Sequence, residues 1–387
     1  MQCPLAIFIL HPSDLLTDHR PHGDGLVAYG FISNLAKRGH QIHVAAEHIA
    51  LESPLPPNVT IHIVRVRSRH PALKRMEYAL RVRALFERLR RSIRFDVVHQ
   101  LNPVHAGLSL GMLGIKTPIV LGTFVPRWPD DADSPVTRAP TRRSRAQSLA
   151  IAPLLLAQQL LAKALLVVSP AALERFPLHK FFARRIFEIH HGVDIASFSP
   201  QPMSSPETED TVLFLANLGQ RKGMYTLLDA FEIVATKRPR ARLLMAGSGW
   251  DEPALVQRIR GMRTGNVTFL GRVARDAVPE VMNRASIYCL PSYGEPYATS
   301  VIEAMACGKA IVVTDRGGLR YMLPEAGGLL VPVRDEEALA NALIALLDAP
   351  QTVAAMGSAN RAFVEEHYTW DKVAAALEAV YFQLGQP

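Results

Sequence analysis

Cysteine is scarce. Cys3, Cys289 and Cys307 are the only three in 387 residues, and their spacing fits neither a disulfide framework nor a zinc or redox motif. That usage suits a reducing compartment, so the expected location is the cytoplasm. Long apolar runs are missing too. The most hydrophobic window, residues 149–168, is interrupted by Gln158, Gln159 and Lys163 and reads as a helix followed by a strand, not as a membrane span. The opening "MQCPLAIFIL" has no basic start and no small-residue cleavage site, which predicts a first buried strand and no signal peptide. No G-x-G-x-x-G follows that strand, which argues against a dinucleotide-dependent dehydrogenase. No aromatic-interleaved basic motif or zinc pattern is present either, so nucleic acid is not the expected partner.

Acidic residues are outnumbered, 35 against 43 Lys and Arg, which leaves a net charge of +8 and a pI near 9.5. Such a balance favours nucleotides or anionic surfaces as partners. The excess is local: residues 65–94 hold eleven Lys and Arg against Glu77 and Glu87. Tyr78, Val82, Leu85, Phe86 and Leu89 recur there at helical spacing, while Arg81, Arg83, Arg88, Arg90 and Arg91 lie elsewhere on the cylinder. The basic amphipathic helix at residues 74–91 is therefore read in two ways. It is a solvated face packed on a sheet, or it makes peripheral contact with an anionic membrane at its inner face.

The length suggests two domains, and with 49% hydrophobic and 20% charged residues the chain can bury a sizeable core. Short β-branched runs alternate with helical patterns in both halves: "LAIFIL", "QIHVAA", "VTIHIV", "DVVHQ", "PIVLG", "LLVVS" and "IFEIHHG", then "TVLFLAN", "ARLLMAG", "VTFLG", "ASIYCLP", "AIVVTD" and "GGLLVP". This rhythm predicts an α/β chain with two parallel sheets covered by helices. The expected division is a first domain at 1–195, a Pro- and Ser-rich linker at 196–211, a second domain at 212–365 and a terminal helix at 366–387 that packs back onto the first domain. Residues 127–145, with three prolines and five arginines, have no periodicity and read as a loop.

In open parallel sheets ligands sit beyond the carboxyl ends of the strands. Gly23, Asp24 and Gly25 stand before a helical pattern, where free backbone N–H groups can meet a phosphate or sugar. Arg221, Lys222 and Gly223 follow a strand and precede a helix; a cation there opposes the helix dipole unless an anion is near. In "GEPYATSVIEAMACG" two glutamates, Glu295 and Glu303, lie eight positions apart. Ser300 and Glu303 fit a capping box, which would explain Glu303 but not Glu295. The alternative is that both carboxylates accept hydrogen bonds from vicinal hydroxyls, one on a sugar and one on a ribose.

These residues carry a resemblance. "GEPYATSVIEAMACG" is similar to the E-x7-E signature of the retaining glycosyltransferases of family 4, and "GDG", "LAKRGHQIHV", "FDVVH", "HHGVDIASFSP", "ANLGQRKG" and "VTFLGRV" fall in that family's order. The resemblance implies a GT-B fold, two facing Rossmann-like domains with a cleft between them. It implies transfer from a nucleotide-diphosphate sugar, UDP-, GDP- or ADP-linked, with no metal or other cofactor required. The acceptor would be a sugar, a lipid-linked molecule or a small molecule. Glu295 would contact the donor sugar, Glu303 the ribose and Lys222 the diphosphate, so Lys222 and Glu295 are the expected catalytic residues. Gly271, Arg272 and Val273 would lie along the base, the amides of Tyr297, Ala298, Thr299 and Ser300 would meet sugar and phosphate, and Gly23–Gly25 would close over the donor. His99 and Asn102 are expected on the acceptor side.

The chain also departs from the pattern. Asn217 stands where the family often has an arginine, so Arg221 or another cation is expected to substitute at the donor site. Phe124 stands in place of a histidine, Arg320 of a glutamate and Ala298 of a glycine. Asp131 and Asp133 form a D-x-D triplet, but in an aperiodic loop, and are not expected to hold a metal. Transfer on one face through an oxocarbenium-like state needs cations for the leaving diphosphate, not the paired carboxylates of double displacement. Two other readings stay open: a nucleotide-sugar epimerase of the same fold, and a non-catalytic nucleotide-sugar-binding protein. A pyridoxal-dependent phosphorylase would need a longer chain.

Overall fold

A computed structural model of the protein describes residues 3–20, 22–101, 107–124, 142–176, 178–201 and 210–385. The chain forms two compact units, the first drawing on Met1–Pro126, Ala139–Gly192 and Trp370–Pro387, the second on Val193–Thr369. In the first unit the strands run β1 (Ala6–His11), β2 (Leu16–Thr17), β3 (Gln41–Ala46), β4 (Ile49–Ala50), β5 (Val59–Ile63), β6 (Val97–Gln100), β7 (Ile119–Phe124), β8 (Ala164–Val167) and β9 (Ile186–Glu188). Seven of them make one parallel sheet in the order β5-β3-β1-β6-β7-β8-β9, while β2 and β4 pair separately.

Continuous apolar strands arise because both faces of this sheet are covered. On one face Ile7, Ile9, Ile42 and Val44 pack with Phe31, Ile32 and Leu35 of the Gly23–Lys37 helix and with Val373, Leu377 and Tyr381 of the Trp370–Gly385 helix. On the other, Phe8, Leu10 and Val98 meet Tyr78, Val82, Leu85 and Phe86 of the Pro71–Leu89 helix. Each such buried side chain contributes about 1.5–3 kcal/mol relative to exposure. The Tyr78 hydroxyl, which must also be satisfied, bonds Leu10 O (3.0 Å) and Ala45 O (2.8 Å).

The basic helix thus buries the stripe read from sequence, but it carries a second apolar face: Leu73, Met76 and Leu80 are 51%, 57% and 63% exposed. Much of its charge is paired, Arg81 with Glu77 (2.8 Å), Arg83 with Glu87 (2.7 Å) and Lys74 with Glu47 (2.7 Å). Arg88, Arg91 and Arg94 are exposed.

The second unit holds β10 (Thr211–Leu215), β11 (Arg242–Ala246), β12 (Val267–Gly271), β13 (Ile287–Leu290), β14 (Ala310–Thr314) and β15 (Gly328–Val331), all parallel, in the order β12-β11-β10-β13-β14-β15. Its helices include Met224–Lys237, Thr299–Ala306, Glu336–Leu347 and Pro350–His367.

The division differs from the expected boundaries. Residues 196–201, expected as linker, belong to the second unit: Phe198 is 2% exposed, and Arg361 donates to its carbonyl (2.8 Å). The change of unit falls between Gly192 and Val193. The chain changes back between Thr369 and Trp370, because the Pro350–His367 helix runs unbroken through the expected boundary at 365. Trp370 packs edge-on against Phe31 (5.4 Å between centroids), and a Cβ at Gly30 or Gly192 would lie 2.0 or 2.5 Å from its indole. Only glycine fits at those two places. A further difference is at 127–145, where the Arg142–Leu161 helix begins inside the expected loop; 125–141 lie outside the described residues. Among the described residues no single helix is long and apolar enough to cross a membrane.

Candidate functional site

At the carboxyl ends of the second unit's strands, four loops are laced together by backbone bonds. Leu218 N donates to Ser248 O (3.0 Å) and Gly247 N to Gly271 O (2.8 Å), tying the loops after β10, β11 and β12. Tyr293 N donates to Arg221 O (2.8 Å), joining the loop after β13 to the β10 loop. The Ser292 hydroxyl donates to the same carbonyl (2.9 Å). This close approach depends on Gly223, which sits at φ +73° and whose missing Cβ would lie 1.8 Å from Pro291 O. Any other residue would push the Gln220–Lys222 turn off the β13 loop.

That turn places two cations on one carboxylate. Glu295 Oε1 lies 2.9 Å from Lys222 Nζ and 2.5 Å from Arg221 Nη1, and Arg221 Nη1 also donates to Gly294 O (2.5 Å). Glu295 is 5% exposed; its own carbonyl accepts from Gly318 N (2.7 Å), which locks the "EPY" turn to the "RGG" turn after β14. A buried carboxylate needs such partners, since loss of one side of a buried pair costs about 3–5 kcal/mol. The counter-charge that the dipole argument asked of Lys222 is thus supplied within the chain by Glu295. The triad keeps a net positive charge able to meet an anion, and its members are held in place before one arrives.

Glu303 is not in a capping box. The Thr299–Ala306 helix is capped by Ala298 with no side-chain bond, so Ser300 lies inside the helix and exchanges a hydrogen bond with the Tyr288 hydroxyl (2.7 Å). Burial pushes the Tyr288 phenol well above its ordinary range. Glu303, 7% exposed, pairs instead with Arg275 (2.6 Å), a residue for which the motif gave no signal.

The structure gathers Asn217, Arg221, Lys222, Gly271, Arg272, Val273, Glu295, Tyr297, Ala298, Thr299, Ser300 and Glu303 in the second unit, in or beside the loops after β10, β12 and β13. Asn217 is exposed. Tyr297 is buried, its ring edge-on to Tyr368 (6.4 Å), so only its backbone is available to a ligand. Arg320 pairs with Asp315 (3.1 Å) on the surface.

Gly23, Asp24 and Gly25 belong to the first unit and open the Gly23–Lys37 helix, where His22 Nδ1 caps Gly25 N (3.1 Å). Gly25 is obligatory for packing, because a Cβ would lie 2.1 Å from Leu15 O, whereas Gly23 is open. Phe124 packs edge-on against Phe176 (5.1 Å).

His99 is a correction. It is fully buried and cannot touch an acceptor. Its Nε2 lies 2.6 Å from Gly122 O, which can only accept, so Nε2 carries the proton and Nδ1 accepts from the Tyr381 hydroxyl (2.5 Å). Burial pushes His99 down to about 4. His191, bonded to Thr123 (2.9 Å), is likewise pushed by burial to about 3. Both are neutral anchors of the first unit's fold. Asn102, Asp131 and Asp133 lie outside the described residues. Among the described residues no three His, Cys, Asp or Glu side chains gather as a metal site.

Residues 22–197 match the family described as Glycosyltransferase Family 4, and residues 209–349 that described as Glycosyl transferases group 1. The phosphatidyl-myo-inositol mannosyltransferase of Mycolicibacterium smegmatis is 38% identical over 200 residues, 50% of this chain and 51% of that protein. A GDP-mannose-dependent monoacylated alpha-(1-6)-phosphatidylinositol monomannoside mannosyltransferase of Corynebacterium glutamicum is 32% identical over 222 residues, 53% and 58% of the two chains. The chain spans about half the length of the relatives it matches. Among solved structures, sucrose-phosphate synthase from Thermosynechococcus elongatus superposes with a TM-score of 0.75 over 99% of both chains at 21% identity. WaaG, a glycosyltransferase involved in lipopolysaccharide biosynthesis, gives 0.68 over 97% and 98% at 19%. At such identity these likenesses establish the fold, which is GT-B.

Proposed function

Since the chain belongs to glycosyltransferase family 4, we propose that it moves a sugar from a nucleotide-diphosphate sugar to a hydroxyl of a lipid-linked acceptor, with retention of configuration. The observation that carries this reading is the Lys222–Glu295–Arg221 cluster, with Glu303 in the adjoining helix. Lys222 stabilises the charge that develops on the leaving diphosphate, aided by the N-terminus of the Met224–Lys237 helix. Glu295 accepts from hydroxyls of the donor sugar and Glu303 from those of the ribose. Arg221 holds Glu295 while Lys222 turns to the phosphates, and so serves at the site where Asn217 cannot. The chemistry calls for no metal.

The names of the relatives support mannose as the sugar, GDP as its carrier and a phosphatidylinositol-type headgroup as the acceptor. The exposed Leu73, Met76 and Leu80 beside the arginines of the Pro71–Leu89 helix support peripheral membrane contact, where such an acceptor resides.

The test is incubation with radiolabelled GDP-mannose, UDP-glucose and an ADP-sugar, with and without phosphatidylinositol vesicles. Label is expected in the lipid extract with GDP-mannose, together with released GDP. Epimerisation, or binding without transfer to any acceptor, would overturn the proposal.

A further inference from the structure

Nothing in the E-x7-E motif asks for a cation beside its second glutamate, yet one is there. Arg275 Nη1 lies 2.6 Å from Glu303 Oε1, with the glutamate side chain 9% exposed and the arginine 31%. Arg275 begins the short turn Arg275–Ala277, four residues beyond Gly271 at the end of β12. Its guanidinium also lies 4.8 Å from the centroid of the buried Phe198 ring. Phe198 is held in turn by Arg361, which donates to its carbonyl (2.8 Å) and to Ala306 O (2.8 Å) at the end of the helix that carries Glu303.

We infer that Arg275 is a positioning residue for ribose recognition, holding the Glu303 carboxylate in one orientation before the nucleotide arrives. The inference rests on the reading of Glu303 as the ribose-binding group. A carboxylate this deeply buried with no cation partner would turn toward solvent, and its acceptor atoms would then leave the place where a ribose could meet them. A carboxylate offers about four lone-pair positions, so a contact through Oε1 leaves acceptor capacity for a vicinal diol. An arginine suits the place better than a lysine because its planar guanidinium can stack on Phe198 and bond in its own plane at once. A ligand group met by an already oriented acceptor binds with less ordering cost than one that must order it.

The experiment compares binding of GDP, UDP and ADP with that of their 2′-deoxy forms by titration calorimetry. Hydrogen bonds to a charged group set the expected discrimination at about 10-fold or more in favour of the ribonucleotide. Arg275→Ala is expected to weaken the ribonucleotide about 10-fold and the 2′-deoxy form little, so that the ratio falls below about 3. Arg275→Lys should fall between, because it keeps the charge and loses the stacking. A purely structural role would weaken both forms alike and keep the ratio, which overturns the inference. Should Arg275→Ala not fold, Arg275→Lys and Phe198→Leu carry the test: each is expected to lower the ratio, and an unchanged ratio overturns it. If the unmodified chain binds none of the three nucleotides, the nucleotide reading of the site fails and this inference falls with it. If binding is intact and only the ratio is insensitive, the inference alone fails.

Discussion

Lys222 Nζ and Glu295 Oε1 lie 2.9 Å apart, so the lysine expected on the leaving group rests on the glutamate expected on the sugar. Each residue holds the other in place. Lys222→Ala removes the charge proposed to meet the diphosphate while Arg221 still neutralises Glu295. Turnover of the donor is expected to drop roughly 10²- to 10³-fold with the fold intact, as for loss of one preorganised transition-state contact. Near-normal turnover in a folded variant would remove Lys222 from the mechanism.

The two glutamates separate by ligand. Glu303→Gln is expected to weaken nucleotide-sugar and free nucleoside diphosphate alike, because the ribose is common to both. Glu295→Gln should weaken chiefly the sugar-bearing ligand. Calorimetric titration of both variants with both ligands decides it, and equal losses throughout would leave the carboxylates with structural roles only.

How much of this was legible in the sequence depends on the range of the contacts. All thirteen strands of the two large sheets sit in runs such as "QIHVAA" and "AIVVTD", and the inner ones, buried on both faces, write themselves as local apolar words. The two-residue strands β2 and β4 write nothing. Glu295 was legible because its motif is local. Arg275 was not, since its partner Glu303 is 28 positions away and only the fold brings them together. His99 was expected on the acceptor side, and the bond that ties it into the core comes from Tyr381, 282 positions on. The helix at 71–89 is apolar on two faces, and a single-stripe reading found the buried one.

That second face gives a membrane test. Changing Leu73, Met76 and Leu80 together to Ser is expected to release the protein from anionic vesicles, and reversal of exposed Arg88, Arg91 and Arg94 to Glu should do the same, at about 1 kcal/mol per charge near the surface. Salt should release the unmodified protein as well, since exposed charges are screened within about 10 Å at 0.1 M. Co-sedimentation is the measurement. A protein that stays in solution with anionic vesicles at low salt has an ordinary solvated helix there.

The buried histidines set the response to acid. His99 and His191 are held neutral, pushed down to about 4 and about 3, whereas an unfolded histidine titrates near 6.5. The unfolded chain therefore binds more protons between those values. The stability these groups provide is fully present above about pH 6.5 and is lost as pH falls toward 4 and then 3. Urea midpoints are expected to fall from pH 7 to pH 4.5, and His99→Gln should be less stable at pH 7 with a shallower slope below 6.5. A slope unchanged by the substitution would show that His99 does not titrate on unfolding.

The return of the chain at Trp370 has a consequence for biosynthesis. Val373, Leu377 and Tyr381 complete one face of the first unit's sheet, yet they are translated after the whole of the second unit. Domains usually fold in the order in which they leave the ribosome. Here the first to emerge must wait with an apolar face uncovered, and the second, drawn from Val193–Thr369, can close before it. Released chains truncated after residue 369 should therefore present a protease-resistant second unit and a protease-sensitive first one.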